Sequence, residues 1–160
     1  MLKIRPATAN DVALLKSLIG ELAEFERLSH EMEITEEDLR RDGYGAQPKF
    51  RAFVAEWSGE PAGYAFIYST YSTFKGMAGI FLEDLFVRPQ FRGKGIGKAL
   101  LAHVARIAKE ENCYGVRWEV LDWNQPAIDF YQSLGAQFRD PWRSVSLTGE
   151  PLNKLAEKAL

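Results

Sequence analysis

At 160 residues the chain is long enough for one domain with a proper core, and 46% hydrophobic with 26% charged residues is the balance of a soluble globular protein. A net charge of −2 with no long basic run argues against nucleic acid as a partner, and no apolar run is long enough to span a bilayer. The single cysteine, Cys113, excludes an internal disulfide, and Met1 to Arg5 lacks the layout of a signal peptide, so a reducing cytoplasm is the expected location.

Leu2 to Arg5 reads as a short strand. Thr8 and Asp11 resemble a capping box, after which Val12, Leu15, Leu18, Leu22 and Phe25 mark an amphipathic helix. Thr35 and Asp38 repeat the device before a shorter helix that ends near Gly43. Arg51 to Trp57 is a strand, Ser58-Gly59-Glu60 a tight turn, and Ala62 to Tyr71 the return strand. Ser72 to Gly79 is loop-like, and Ile80 to Val87 is a strand. Ile96, Leu100, Val104 and Ile107 then recur at helical spacing up to Glu110. Gly115 to Leu121 is a further strand. Asn124 is a good N-cap for a helix that tolerates Pro126 in its first turn and stops at Gly135. Two short strands follow, at Gln137-Phe138 and Trp142 to Leu147, and Pro151 opens a last helix. This order predicts one domain over residues 1–160, of the α/β (α+β) class, with a mixed and mostly antiparallel sheet flanked by helices.

The most informative stretch is Arg92-Gly93-Lys94-Gly95-Ile96-Gly97, where the strand ending at Val87 gives way to a helix. Backbone N–H groups at a helix start lack internal partners and carry partial positive charge. Glycine lets an anion come close to them, and Arg92, Lys94 and Lys98 add positive side chains, so the turn offers a phosphate cradle. A Walker loop fails here, because Gly97-Lys98 is followed by Ala99. The dinucleotide fingerprint fails too, because Lys98 and Leu100 stand where it needs glycine. Arg/Gln-x-x-Gly-x-Gly/Ala remains, satisfied by Arg92, Gly95 and Gly97. The plain alternative is a glycine-rich turn and nothing more.

With Asn124-x-x-Ala127 running into Phe130-Tyr131 and Gly135-Ala136, the chain resembles the GNAT superfamily of N-acetyltransferases over nearly its whole length. Phe81-Leu82-Glu83-Asp84 and Leu121-Asp122-Trp123-Asn124-Gln125 are similar to the diamine acetyltransferase group (spermidine/spermine), and within it to the thialysine type. The resemblance implies acetyl-CoA as cosubstrate, no metal, and a homodimer. It implies that Leu85, Phe86 and Val87 hold the pantetheine arm through their backbone. Arg92, Gly93, Lys94, Gly95, Ile96, Gly97 and Lys98 take the diphosphate, and Asn124 and Tyr131 touch CoA. Polyamine-specific members carry Asp-Pro-Trp where this chain has Ser72-Thr73-Phe74-Lys75. That favours an amino-acid-like amine, with Lys75 expected to repel a polycation.

A free alkylamine has a pKa of about 10.4, so it arrives protonated, and the departing thiolate needs a proton. Glu83 is the candidate base, with Asp84 and Glu26 attracting the cation, and Tyr131 is the candidate acid. Each has a plainer reading. Glu83 suits a solvent-facing strand position, Tyr131 suits an apolar helix face, and Asn124 is first an N-cap. His103 and the four tryptophans Trp57, Trp118, Trp123 and Trp142 are read as core or pocket-wall packing, and Cys113 as no nucleophile. No Cys/His cluster has metal spacing. The expected activity is acetyl transfer to a small-molecule amine. The alternatives are a protein or peptide amine as acceptor, or a non-catalytic CoA-binding module.

Overall fold

A computed structural model describes residues 1–160. They form two compact units, Met1–Leu121 and Asp122–Leu160, taken in turn.

The first unit runs β1 (Leu2–Pro6), α1 (Val12–Phe25), α2 (Glu36–Tyr44), β2 (Arg51–Trp57), β3 (Glu60–Ser72), β4 (Met77–Val87), α3 (Ile96–Glu110) and β5 (Val116–Arg117). The five strands form one sheet in sequence order, antiparallel throughout except for the parallel pair β4–β5. That exception follows from α3, since a parallel return needs a crossover whereas hairpins return antiparallel. Ser58 and Gly59 turn β2 into β3 with φ of 52° and 87°, the left-handed pair that matches strand twist.

Helices cover both faces. Ala52 and Val54 of β2 pack with Val12, Leu15 and Leu18 of α1 and Leu39 of α2. Phe53, pointing the other way, meets the His103 ring of α3 at 4.7 Å between centroids. His103 therefore packs as expected, and its burial lowers its basicity. The β3–β4 ribbon is longer than the sequence predicts. Ser72 pairs with Met77, so the expected loop shrinks to residues 73–76. Cross-strand pairing carries polar residues into the ladder that read as loop by composition.

The entry to α1 is held by a charged clamp. Asp11 accepts from Arg5 Nη1 at 2.8 Å and Nη2 at 2.9 Å, and from the Thr8 backbone N–H at 2.7 Å. Arg5 also donates Nε to Glu56 at 2.7 Å. The hydrogen bonds from Arg5 outweigh burial and hold the Asp11 carboxyl at about 2. A carboxylate depressed on folding stabilises the native state above its unfolded pKa, and that stability is lost as pH falls through the native value. Asp11→Asn is therefore expected to cost about 2 kcal/mol at pH 7. The gap to the parent should close as denaturation is measured from pH 4 down towards pH 2.

The second unit holds α4 (Gln125–Ser133) and α5 (Gly149–Ala156). Asn124 Oδ1 accepts from the Ala127 N–H at 3.3 Å, so the predicted cap is real. Gly135, with φ of 86°, ends the helix as Ala136 donates back to the Tyr131 carbonyl at 3.1 Å. Two expectations fail here. Neither Gln137-Phe138 nor Trp142 to Leu147 forms a strand. Alternating residues make a strand only where an edge pairs with them, and Val145 is 91% exposed. Likewise β5 pairs only at Val116 and Arg117 of the expected Gly115–Leu121. Trp123 and Trp142 are exposed, so neither belongs to a packed core.

Candidate active site

The chemistry of the first unit gathers on β4. Opposite β3, Phe66 pairs with Asp84 but Ile67 pairs with Leu82, so Glu83 is an extra residue in the ladder. Such a bulge bends the strand and re-aims its side chains. As a result the adjacent carboxylates Glu83 and Asp84 both line one cleft, where strict alternation would send them to opposite faces.

The cleft has a volume of about 640 Å³. Its other walls come from the end of α1 and the segment beyond it, with Phe66 and Tyr68 of β3. Glu26 enters it because Arg27 turns left-handed at φ 60° and stops α1 there. Glu31 and Glu33 join the lining, making five carboxylates and no basic side chain. The predicted residues Glu26, Glu83 and Asp84 thus share one cleft. Lys75 does not reach it. It sits exposed in the β3–β4 turn, outside the lining of the cleft.

Burial dominates the electrostatics. It raises the Glu26 carboxyl. It pushes Asp84 up to about 6, opposed by a hydrogen bond from Tyr64 and assisted by the charges of Glu83 and Glu26. A carboxyl poised there can hold or release a proton near neutral pH.

The far edge of β4 is open. β5 runs alongside only at Ile80 and Phe81, which leaves Leu82 to Val87 without a strand on that side. Phe86 turns its side chain into the core, so its backbone is what it offers a ligand.

β4 leads to the cradle. Arg88 anchors the turn, donating to Glu21 of α1 at 2.7 Å and to the Pro61 carbonyl at 2.8 Å. Gly95 is the residue before α3, left-handed at φ 77°, and Gly93 is at φ 74°. No side chain caps the helix and no acidic residue stands in its first turn. Its first amides are thus uncapped at the positive end of a 15-residue helix, the arrangement that suits a diphosphate. Ile96 is buried through its side chain, so only its backbone serves the cradle. Lys98 is exposed in the first turn, and the exposed Lys94 lies 5.3 Å over the Trp57 ring. Arg92, expected to add charge, keeps its charge at the loop while its side chain folds back. Its Nε donates to the Val87 carbonyl at 3.0 Å and its guanidinium lies 4.7 Å over the Phe25 ring. It fixes the path of the loop.

In the second unit, Asn124 and Tyr131 stand at the start and in the last turn of α4, and the Tyr131 ring lies 5.4 Å from Phe130. No group of three or more His, Cys, Asp or Glu side chains is arranged to hold a metal ion. No helix is long and apolar enough to cross a membrane.

A five-stranded sheet with a bulged fourth strand and an unpaired edge, followed by a glycine-led helix, is the frame that carries the acidic cleft and the cradle. The model of the Acetyltransferase (GNAT) family matches residues 15–136. A thialysine N-epsilon-acetyltransferase of Bos taurus is 42% identical, covering 97% of each chain. An L-ornithine N5-acetyltransferase of Arabidopsis thaliana is 31% identical over 96% of this chain and 87% of its own. Among solved structures, a Vibrio cholerae integron cassette protein superposes with a TM-score of 0.81 at 26% identity, covering 98% of both chains. The chain belongs to the GNAT acetyltransferase family and is an N-acetyltransferase.

Proposed function

We propose that the chain moves the acetyl group of acetyl-CoA directly onto the primary amine of a small molecule bearing a second positive charge. The acceptor is an amino-acid-like diamine of the thialysine or ornithine kind named for its relatives. The observation that carries this reading is the five-carboxylate cleft at the β4 bulge, at one end of the segment that leads to the glycine cradle. A cleft so charged favours ammonium groups over any acceptor lacking them.

In this reading Glu83 takes the proton from the attacking amine, while Asp84 and Glu26 hold the cation. The backbone of Leu85, Phe86 and Val87 meets the pantetheine arm. Gly93, Lys94, Gly95, Ile96, Gly97 and Lys98 hold the diphosphate, with Arg92 shaping the loop. Asn124 contributes from the cap of α4. Acetyl-CoA, when bound, supplies the activated thioester. The amine nitrogen, freed of its first proton, bonds to the carbonyl carbon; the carbon–sulfur bond breaks as Tyr131 gives the sulfur a proton, and the second proton leaving the nitrogen passes through water to restore the Tyr131 phenol. Holding both reactants together contributes up to about 7–11 kcal/mol of the barrier reduction.

The family match crosses from the first unit into the second, which supports one domain over residues 1–160. Trp142, Val145 and Leu152 are exposed apolar side chains that a second copy in a homodimer would cover. The single cysteine, which precludes an internal disulfide, supports a reducing cytoplasm as its location.

Incubating the protein with acetyl-CoA and thialysine, ornithine, spermidine or a lysine peptide, then reading free thiol, tests the reading. Thialysine or ornithine should release thiol at rates of about 1 s⁻¹ or more, well above the peptide. Silence with every amine would remove the proposal.

A further inference from the structure

Tyr64 is the largest side chain of this fold that is wholly closed to solvent, at 0% exposure, yet it carries a hydroxyl. A buried hydroxyl without a partner costs about 1–3 kcal/mol, and phenylalanine would fill the same space without that demand. The hydroxyl has a specific use. It donates to Asp84 Oδ2 at 2.8 Å. Phe66 faces Asp84 and Tyr64 faces Phe86 across the β3–β4 ladder, so Tyr64 is the diagonal neighbour of Asp84 on one face of the sheet. The ring belongs to the core cluster with Val54 and Phe86, while Asp84 lines the acidic cleft. One hydrogen bond therefore ties a rigid core group to a carboxylate in the proposed acceptor site.

We propose that Tyr64 is a positioning residue for amine acetylation, acting through Asp84. This rests on the reading of the cleft as the amine site. The bond commits Oδ2 to the core, so the acceptor's ammonium meets Oδ1 in a fixed orientation. It also favours the ionised carboxylate in a place that opposes it. The groups facing Asp84 are Glu83 on its own strand, Tyr64 and Tyr68 on β3, Glu26 at the end of α1, and Glu31 and Glu33 beyond it. Burial and the charges of Glu83 and Glu26 push Asp84 towards the neutral form, and the Tyr64 hydroxyl pulls the other way. Without the phenol, Asp84 is neutral over more of the range near pH 6–7 and loses its hold on the cation.

The test is Tyr64→Phe, with kcat/KM for thialysine and for acetyl-CoA measured from pH 5.5 to 8.5. The ratio of variant to parent cancels the amine's own titration. The expected result is a loss for the amine that deepens as pH falls, by about threefold at pH 6.5 for a shift of one pKa unit at Asp84, over a smaller loss that remains at pH 8.5 where the ionised carboxylate is no longer held in place. KM for acetyl-CoA stays unchanged. In an Asp84→Asn background, which removes the acidic limb by itself, Tyr64→Phe adds nothing. A loss of equal size at every pH, or one that persists beside Asp84→Asn, would make Tyr64 a packing residue and overturn the proposal. A parent enzyme inert towards every amine would instead defeat the reading of the cleft, and this proposal with it.

Discussion

Tyr131→Phe is expected to lower kcat by about 10²- to 10⁴-fold, the range over which a positioned proton donor contributes, while acetyl-CoA binding is retained. The leaving group creates the need for a proton donor. A thiolate expelled at neutral pH can return to the carbonyl unless it is protonated, and a phenol of pKa about 10 is a donor that stays loaded at pH 7. Tyr131 lies in the last turn of α4, whose start is fixed by the Asn124 cap and whose end is fixed at Gly135, so its place along the helix is set at both ends. Removing one oxygen leaves the ring and its contact with Phe130 intact. The variant should stay folded, and its melting point, read beside the rate, reports what the hydroxyl contributes to stability. Thiol release and calorimetry on the same sample separate the two readings. Weakened CoA binding with kcat preserved would assign Tyr131 to cosubstrate contact alone. An unchanged rate would send it back to packing.

What could be read before the structure, and what could not, divides by the range of the interaction. The cap at Thr35, the cap at Asn124 and the left-handed glycine before α3 each depend on residues within four positions of one another, and each is printed in the sequence. The helix faces of α1 and α3 were legible for the same reason, because a 3.6-residue period marks them. Tyr64 was not. In sequence it is one more apolar residue of a strand, and its partner lies twenty positions away, brought near by the β3–β4 register. Glu31 and Glu33 carry no periodicity either. They become part of the site only because α1 stops at Glu26 and the chain bends back along the cleft. The bulge at Glu83 explains the same limit from the other side. Two adjacent acids suggest a charged strand, but only the offset against Phe66 and Ile67 aims both into one cleft. The failed strands near the C-terminus repeat the point, since alternation there had no sheet edge to join.

Gly97 supports the second large effect, and here stability and function are expected to move in opposite directions. Gly95 needs its residue type for backbone reasons, since φ of 77° is costly for any side chain. Gly97 has no such need. It lies in the first turn of α3 with helical geometry, and a Cβ built on it meets only Val87 Cγ2, at 3.8 Å, an ordinary contact. Nothing within the protein requires glycine there, and alanine in a helix is favoured by up to about 1 kcal/mol. A residue that costs stability and fills no internal need points outward, to a ligand whose diphosphate must approach the amide closely. Gly97→Ala should thus melt at or above the parent temperature and bind acetyl-CoA at least about tenfold more weakly, a loss of about 1.4 kcal/mol or more. Gly97→Val should extend the loss with the fold still intact. Thermal melts with and without CoA give both readouts, because a ligand raises the melting point only where it binds. Undiminished CoA affinity in a well-folded Gly97→Val would move the diphosphate off this helix end and take the assignment of Lys94 and Lys98 with it.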